Sequence, residues 1–263
     1  MEMQFEKQSF GKRLASMLKV DFKRMFLSPL VYIMGGISLV LPILILVMTG
    51  LIPSTTIDPV TGMETTVETF TNVWQAIGSM GSAMSMDLTS MCNINLLFFL
   101  VAIFACIFVS DDFRSGYAKN LFTVRAKRID YVLSKTIVCF VGAIAMFLLY
   151  FVGAMIGGAI AGLSFSTEGF GAGGVIACFI SKIFISLIFV SIAILLGTVA
   201  KQKLWLSILC SLAAGMLLFT MIPMITPLSA GILNVIMCIA GGAIFAVGLG
   251  ALSNLILKKT SLV

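Results

Sequence analysis

No histidine occurs in the 263 residues, and only 11% of them are Asp, Glu, Lys or Arg. Soluble domains carry about a quarter charged residues, so this chain lacks the polar surface to coat a water-exposed globule. Without imidazole, a histidine proton relay is excluded. The six cysteines, Cys92, Cys106, Cys139, Cys178, Cys210 and Cys238, stand singly with no CxxC pair, which leaves a zinc site without support. They read as small apolar packing residues. A GxxxxGK[ST] phosphate loop, GxSxG and HExxH are all missing, so no catalytic site and no ATP site of its own are expected, and no metal. No aromatic-basic module speaks for nucleic acid.

What is present is apolar length. Sixty per cent of residues are hydrophobic and the mean hydropathy is +1.13. Windows of about 20 apolar residues cross about 30 Å of hydrocarbon. Six such runs predict an all-α membrane protein with spans at 31–52, 88–110, 136–162, 175–200, 204–226 and 232–257. The runs are continuous rather than alternating, which disfavours a lipid-facing β-barrel. The first lies behind about thirty residues with no small-residue cleavage site, so it is expected to be a retained span.

The basic residues then sort by side. Lys7, Lys12, Arg13, Lys19, Lys23 and Arg24 precede the first span; Arg114, Lys119, Arg125, Lys127, Arg128 and Lys135 lie between spans two and three. Lys201 and Lys203 follow span four, and Lys258 and Lys259 end span six, whereas Pro53–Asp87, Leu163–Gly174 and Pro227–Gly231 hold no Lys or Arg. Cations are retained on the cytoplasmic side, so both termini are expected there.

Residues Phe10–Phe26 form an amphipathic helix at about 100° per residue. Phe10, Leu14, Met17, Leu18, Phe22, Met25 and Phe26 take one half of the wheel and the cations the other. The expectation is an interfacial helix, apolar face in the headgroup layer, stopped by Pro29. Asp21 breaks that face; it is either a charge reaching water at the edge or an ion pair with a basic residue of the loop between spans two and three. Lys182, alone among the cations, falls inside a span. It either snorkels to the outer headgroups or faces the interior and pairs with Asp87 or Glu168, which makes it a candidate intramembrane polar site. The outer segment 53–87 carries Asp58, Glu64, Glu68 and Asp87 and no cation; its half near 67–86 is expected to form a partly helical cap, with a plain linker as the alternative. Gly153-x-x-x-Gly157, Gly158-x-x-x-Gly162, Gly242-x-x-x-Ala246 and Ala246-x-x-x-Gly250 mark close helix packing. Pro42, Pro223 and Pro227 mark kinks or turns.

The loop 111–135 opens with Asp111 and Asp112, passes Arg114 and Gly116, runs through Tyr117, Lys119, Asn120, Leu121, Phe122 and Val124, and ends in Arg125, Lys127, Arg128 and Lys135. A mixture of acids, aromatics and cations exceeds what a connector needs and reads as a docking segment. Asp112, Arg114, Gly116, Lys119, Leu121, Arg128 and Lys135 resemble the pattern of ABC-2-type transporter permeases, in which the first acid is more often Glu. The six-span layout and the leading amphipathic helix extend the resemblance over nearly the whole chain.

The resemblance implies a coupling helix, with Asn120 and Phe122 added to the matched residues, seated on a separate ABC ATPase. It also implies two ATPase copies carrying ATP and Mg, a second permease forming a homodimer, and a bacterial plasma membrane location. The nearest types are exporters of amphipathic peptides, the phenol-soluble modulin or lantibiotic self-protection kind, with export of a lipid-linked glycan, a drug or an ion as alternatives. A non-transport scaffold or receptor and a secondary carrier stay open on the residues alone.

Overall fold

The computed structural model describes residues 9–51, 54–57, 64–67, 70–79, 93–123 and 127–259. Asp87, Cys92, Val124 and Arg125, and residues 68–69 and 80–86 of the anticipated cap, lie outside these. Helix α1 (Phe10–Leu27) stops at Ser28, whose amide donates to Arg24 O at 3.1 Å, and α2 (Pro29–Leu51) starts on a proline. Proline suits a first helical position, because the missing N–H would have had no partner there. A short antiparallel hairpin follows, β1 (Ser54–Ile57) with β2 (Glu64–Val67). The remaining helices are α3 (Leu97–Arg114), α4 (Tyr117–Thr123), α5 (Arg128–Ile160), α6 (Gly171–Ala200), α7 (Leu204–Phe219), α8 (Ile222–Ile225) and α9 (Ile232–Lys259). Single 3₁₀ turns occupy Val73–Ala76 and Ile94–Leu96.

Among the described residues, five segments are long and apolar enough to cross a membrane: Pro29–Thr49, Ile94–Arg114, Arg128–Ile160, Gly171–Ala200 and Ile232–Lys259. This is an all-α membrane protein apart from the hairpin. The fifth apolar run is broken where a single helix was expected over 204–226: α7 has 16 residues and α8 resumes after Thr220 and Met221. Pro223 supplies the cause, since it has no N–H for Phe219 O and its ring crowds that carbonyl. Helix α5, by contrast, begins at Arg128 rather than 136. Its 33 residues span about 50 Å, more than the hydrocarbon thickness, so its first turns project beyond the apolar layer.

The core centres on α3, packed between α5, α6 and α7. Phe98 stacks on Phe189 at 4.9 Å and meets Phe147 at 5.5 Å. Helix α2 leans on α5 where Gly153 and Gly157 face the Leu39–Ile43 backbone. A Cβ on Gly157 would lie 2.8 Å from Ile43 Cα, and one on Gly153 would collide with Leu39 O and Pro42. Gly242 plays the same role between α9 and α6, with Phe184 O at 2.6 Å from a Cβ there. Gly158 faces Val73 instead, and Gly162 takes φ +69° in the turn after α5.

Candidate functional site

The site lies at the end of the bundle that gathers the cations. Helix α1 presents Met17, Asp21 and Met25, one turn apart, to the protein interior, and all three are buried. The sequence pattern suggested the headgroup layer for the apolar face and left an ion pair with the loop 111–135 open for Asp21; the structure seats this stripe on α5, where Asp21 finds a partner that lipid cannot give. Phe10, Phe26 and Leu27 remain exposed, while Leu14, Leu18 and Phe22 are half-buried.

The partner is Lys135. Its ammonium donates to Asp21 Oδ1 at 2.8 Å and to Asp112 Oδ2 at 2.7 Å, and sits 4.3 Å over the Phe108 ring. Asp21 also accepts from Ser134 Oγ at 2.6 Å; Asp112 also accepts from Tyr131 OH at 2.9 Å and from Arg24 Nη1 at 2.6 Å. Arg24 lies over the Tyr117 ring at 4.0 Å, and Asp21, Asp112 and Lys135 are fully buried. Two carboxylates and two cations cancel, and the carboxylate oxygens named each have a donor, which a buried charge requires. Burial acts to lower the Arg24 guanidinium, but Asp112, Tyr117 and Asp21 overcome it and hold the group above its ordinary value. Burial and then the Asp21 carboxylate push the Tyr117 phenol up. Beside this cluster Arg13 Nε donates to Asp130 Oδ2 at 3.0 Å. The network thus pins α1, the end of α3, the start of α4 and the first turns of α5 to one another.

The motif residues divide into two groups. Asp112 and Lys135 are locked inside. Arg114, Lys119 and Asn120 face outward, with Leu121 and Phe122 half-buried beneath them. Gly116 joins α3 to α4 at φ +74°, a left-handed conformation that favours glycine. Arg128 opens α5, donating from Nη1 to Lys258 O at 3.2 Å and lying 6.0 Å from the Phe122 centroid. Tyr131, Ser134 and Phe108 belong to the network but were not singled out from the sequence. An acid inside an apolar stripe predicts a counter-ion, yet nothing local announces which hydroxyls will share it.

At the opposite end Lys182 is fully buried and its Nζ donates to Asn95 Oδ1 at 2.6 Å. The snorkelling reading is therefore overturned, and the partner found is neither Glu168 nor, among the described residues, an acid. The 3₁₀ turn Ile94–Leu96 brings Asn95 there. Four of the five cysteines described are buried, Cys210 is half-buried, and all five are free. Residues 70–79 dock on the α5–α6 connection: Asn72 Nδ2 donates to Ser166 O at 2.6 Å, Trp74 Nε1 to Phe165 O at 3.1 Å, and Val73 N to Ser164 O at 3.1 Å. This much of the outer segment is a packed cap, one 3₁₀ turn long.

A protein-family model described as ABC-2 family transporter protein matches residues 17–218, from the Met17 turn of α1 to the end of α7. No curated protein and no solved structure matches the chain. With the network, the short helix after Gly116 and a match over most of its length, the chain belongs to the ABC-2 family of transporter proteins, whose members are membrane transport subunits.

Proposed function

We propose that this chain is the permease half of an ATP-driven exporter of amphipathic peptides, a peptide toxin or bacteriocin, working as a homodimer with two ABC ATPase chains in a bacterial plasma membrane. The observation that carries the reading is the division within 111–135: Asp112 and Lys135 tie α3 and α5 to α1 by charge, with the Tyr117 ring of α4 under Arg24, whereas Arg114 at the end of α3 and Lys119 and Asn120 on α4 are exposed. A seven-residue helix alone is marginal in water. Tied to α1, α3 and α5, it becomes a lever that can pass a push on its bare face into the spans.

ATP and Mg bind the partner, whose closure moves α4 and, through Lys135, the long helix α5. Cations cluster at this end, so it faces the cytoplasm and both termini lie there. Away from the cation-rich end and its charge network, the described spans hold a single Lys, Arg, Asp or Glu, Lys182. A path so poor in charge suits an apolar or amphipathic cargo better than a bare ion, which needs ligands.

The test is the double substitution Arg114→Glu and Lys119→Glu, with ATPase pull-down and ATP hydrolysis measured alongside membrane insertion. Insertion unchanged, with the ATPase lost or no longer stimulated, is expected. Full stimulation by the doubly substituted chain would remove α4 as the docking helix.

A further inference from the structure

A groove of roughly 550 Å³ lies at the cation-rich end, between the end of α4, the start of α5 and the last turns of α9, lined by Phe122, Lys127, Arg128, Ile129, Asn254 and Lys258. Three of these six are cations and none is an acid. Arg128 is held in place from both sides, by the Lys258 carbonyl at 3.2 Å and by the Phe122 ring. Asn254 adds a buried amide oxygen that has no hydrogen-bond partner among the described residues. The buried charge network around Lys135 uses none of the groove's polar atoms.

The apolar surroundings show what kind of anion fits. Ile129 is 49% exposed and Leu133, one turn further along the same face of α5, is 38% exposed; Leu255 on α9 is 52% exposed. An apolar track therefore leads from the cations toward the hydrocarbon layer. A soluble anion has no use for such a track, whereas a phospholipid needs both the cations and the track.

We propose that this groove holds the headgroup of an acidic phospholipid, its phosphate on Lys127, Arg128 and Lys258, a headgroup hydroxyl donating to Asn254 Oδ1, and an acyl chain along Ile129 and Leu133. The lipid bridges α9 to the coupling helix through Arg128 and Phe122. This rests on α4 being the coupling helix only for its regulatory meaning; the binding itself does not. An acidic leaflet would stiffen the α4–α9 junction, so coupling would respond to lipid composition.

The experiment is native mass spectrometry of the full-length permease, without ATPase, released from nanodiscs of phosphatidylglycerol and phosphatidylcholine. Retention of phosphatidylglycerol over phosphatidylcholine is expected. It should fall on the order of tenfold in Lys127→Gln with Lys258→Gln, and stay unchanged in Lys201→Gln with Lys203→Gln, which removes the same charge from another loop at this end. Equal loss in both pairs would reduce the effect to net charge and overturn the site. So would retention unaffected by the first pair, or displacement of the lipid by millimolar glycerol 3-phosphate, which would assign the groove to a free phosphate. Because no ATPase is present, a failed docking experiment at Arg114 and Lys119 leaves this result untouched.

Discussion

At the scale of single residues, the molecule turns on four charges, of which Asp21, Asp112 and Lys135 are fully buried and Arg24 partly so. Removing Lys135 alone leaves Asp21 and Asp112 facing one guanidinium, and removing the Asp21 charge alone leaves two cations on one carboxylate. Breaking one partner of a buried pair costs about 3–5 kcal/mol. Lys135→Met should therefore sharply lower the thermal stability of the purified permease, and Asp21→Asn should lower it too. The double variant keeps Arg24 with Asp112, a neutral remainder, so its loss should fall short of the sum by about 0.5–3 kcal/mol. Strict additivity in a melting series would show that the two residues do not share one network. For Asp21 the sequence left open a charge at the water edge and an ion pair with the loop 111–135, because an acid in an apolar stripe calls for one or the other; the structure sets Lys135 of that loop against it. Lys182 was not readable in the same way. Its partner Asn95 is an uncharged residue in a 3₁₀ turn 87 positions away, and no periodicity links the two.

Among the elements, the pair α2 and α5 depends on absent side chains. Gly153 meets the Leu39 carbonyl and Pro42 on the facing helix, so a methyl there has to push the two backbones apart. Gly153→Ala should lower the melting temperature, by the equivalent of about 1–3 kcal/mol for overpacking. Gly36→Ala on the same helix pair meets nothing within 4 Å and should leave stability unchanged or slightly raised. Equal melting temperatures for the two variants would deny the close crossing. The small-residue spacing announced that a tight contact exists but not with which helix, since any neighbour can use it. The interruption between α7 and α8 was legible only as a proline; where the helix stops depends on which carbonyl the ring displaces. Helix α1 was legible as a helix, and the structure seats its Met17, Asp21 and Met25 stripe on α5 while Phe10 and Phe26 stay exposed. A hydrophobic wheel says that a face is buried, and the same wheel fits lipid or protein.

For the whole molecule, the two ends are chemically unlike. One collects α1, α4, the start of α5 and the lysines of α9; the other carries the segment 70–79 and the α5–α6 connection, where, among the described residues, Glu168 is exposed. The asymmetry was fully visible in the sequence, because charge distribution along a membrane chain is a property of order and not of packing. Under the proposed function it would set the direction of the machine, since a lever on the cation-rich face would be reached only by an ATPase on the same side. A chain without its native cysteines, given Lys119→Cys or Glu168→Cys, reads this directly. In intact cells a membrane-impermeant maleimide should label the cysteine at position 168 and reach that at 119 only after permeabilisation. Labelling at 119 in intact cells would turn the bundle over, carry the bare face of α4 away from ATP, and leave the network as a structural clamp alone.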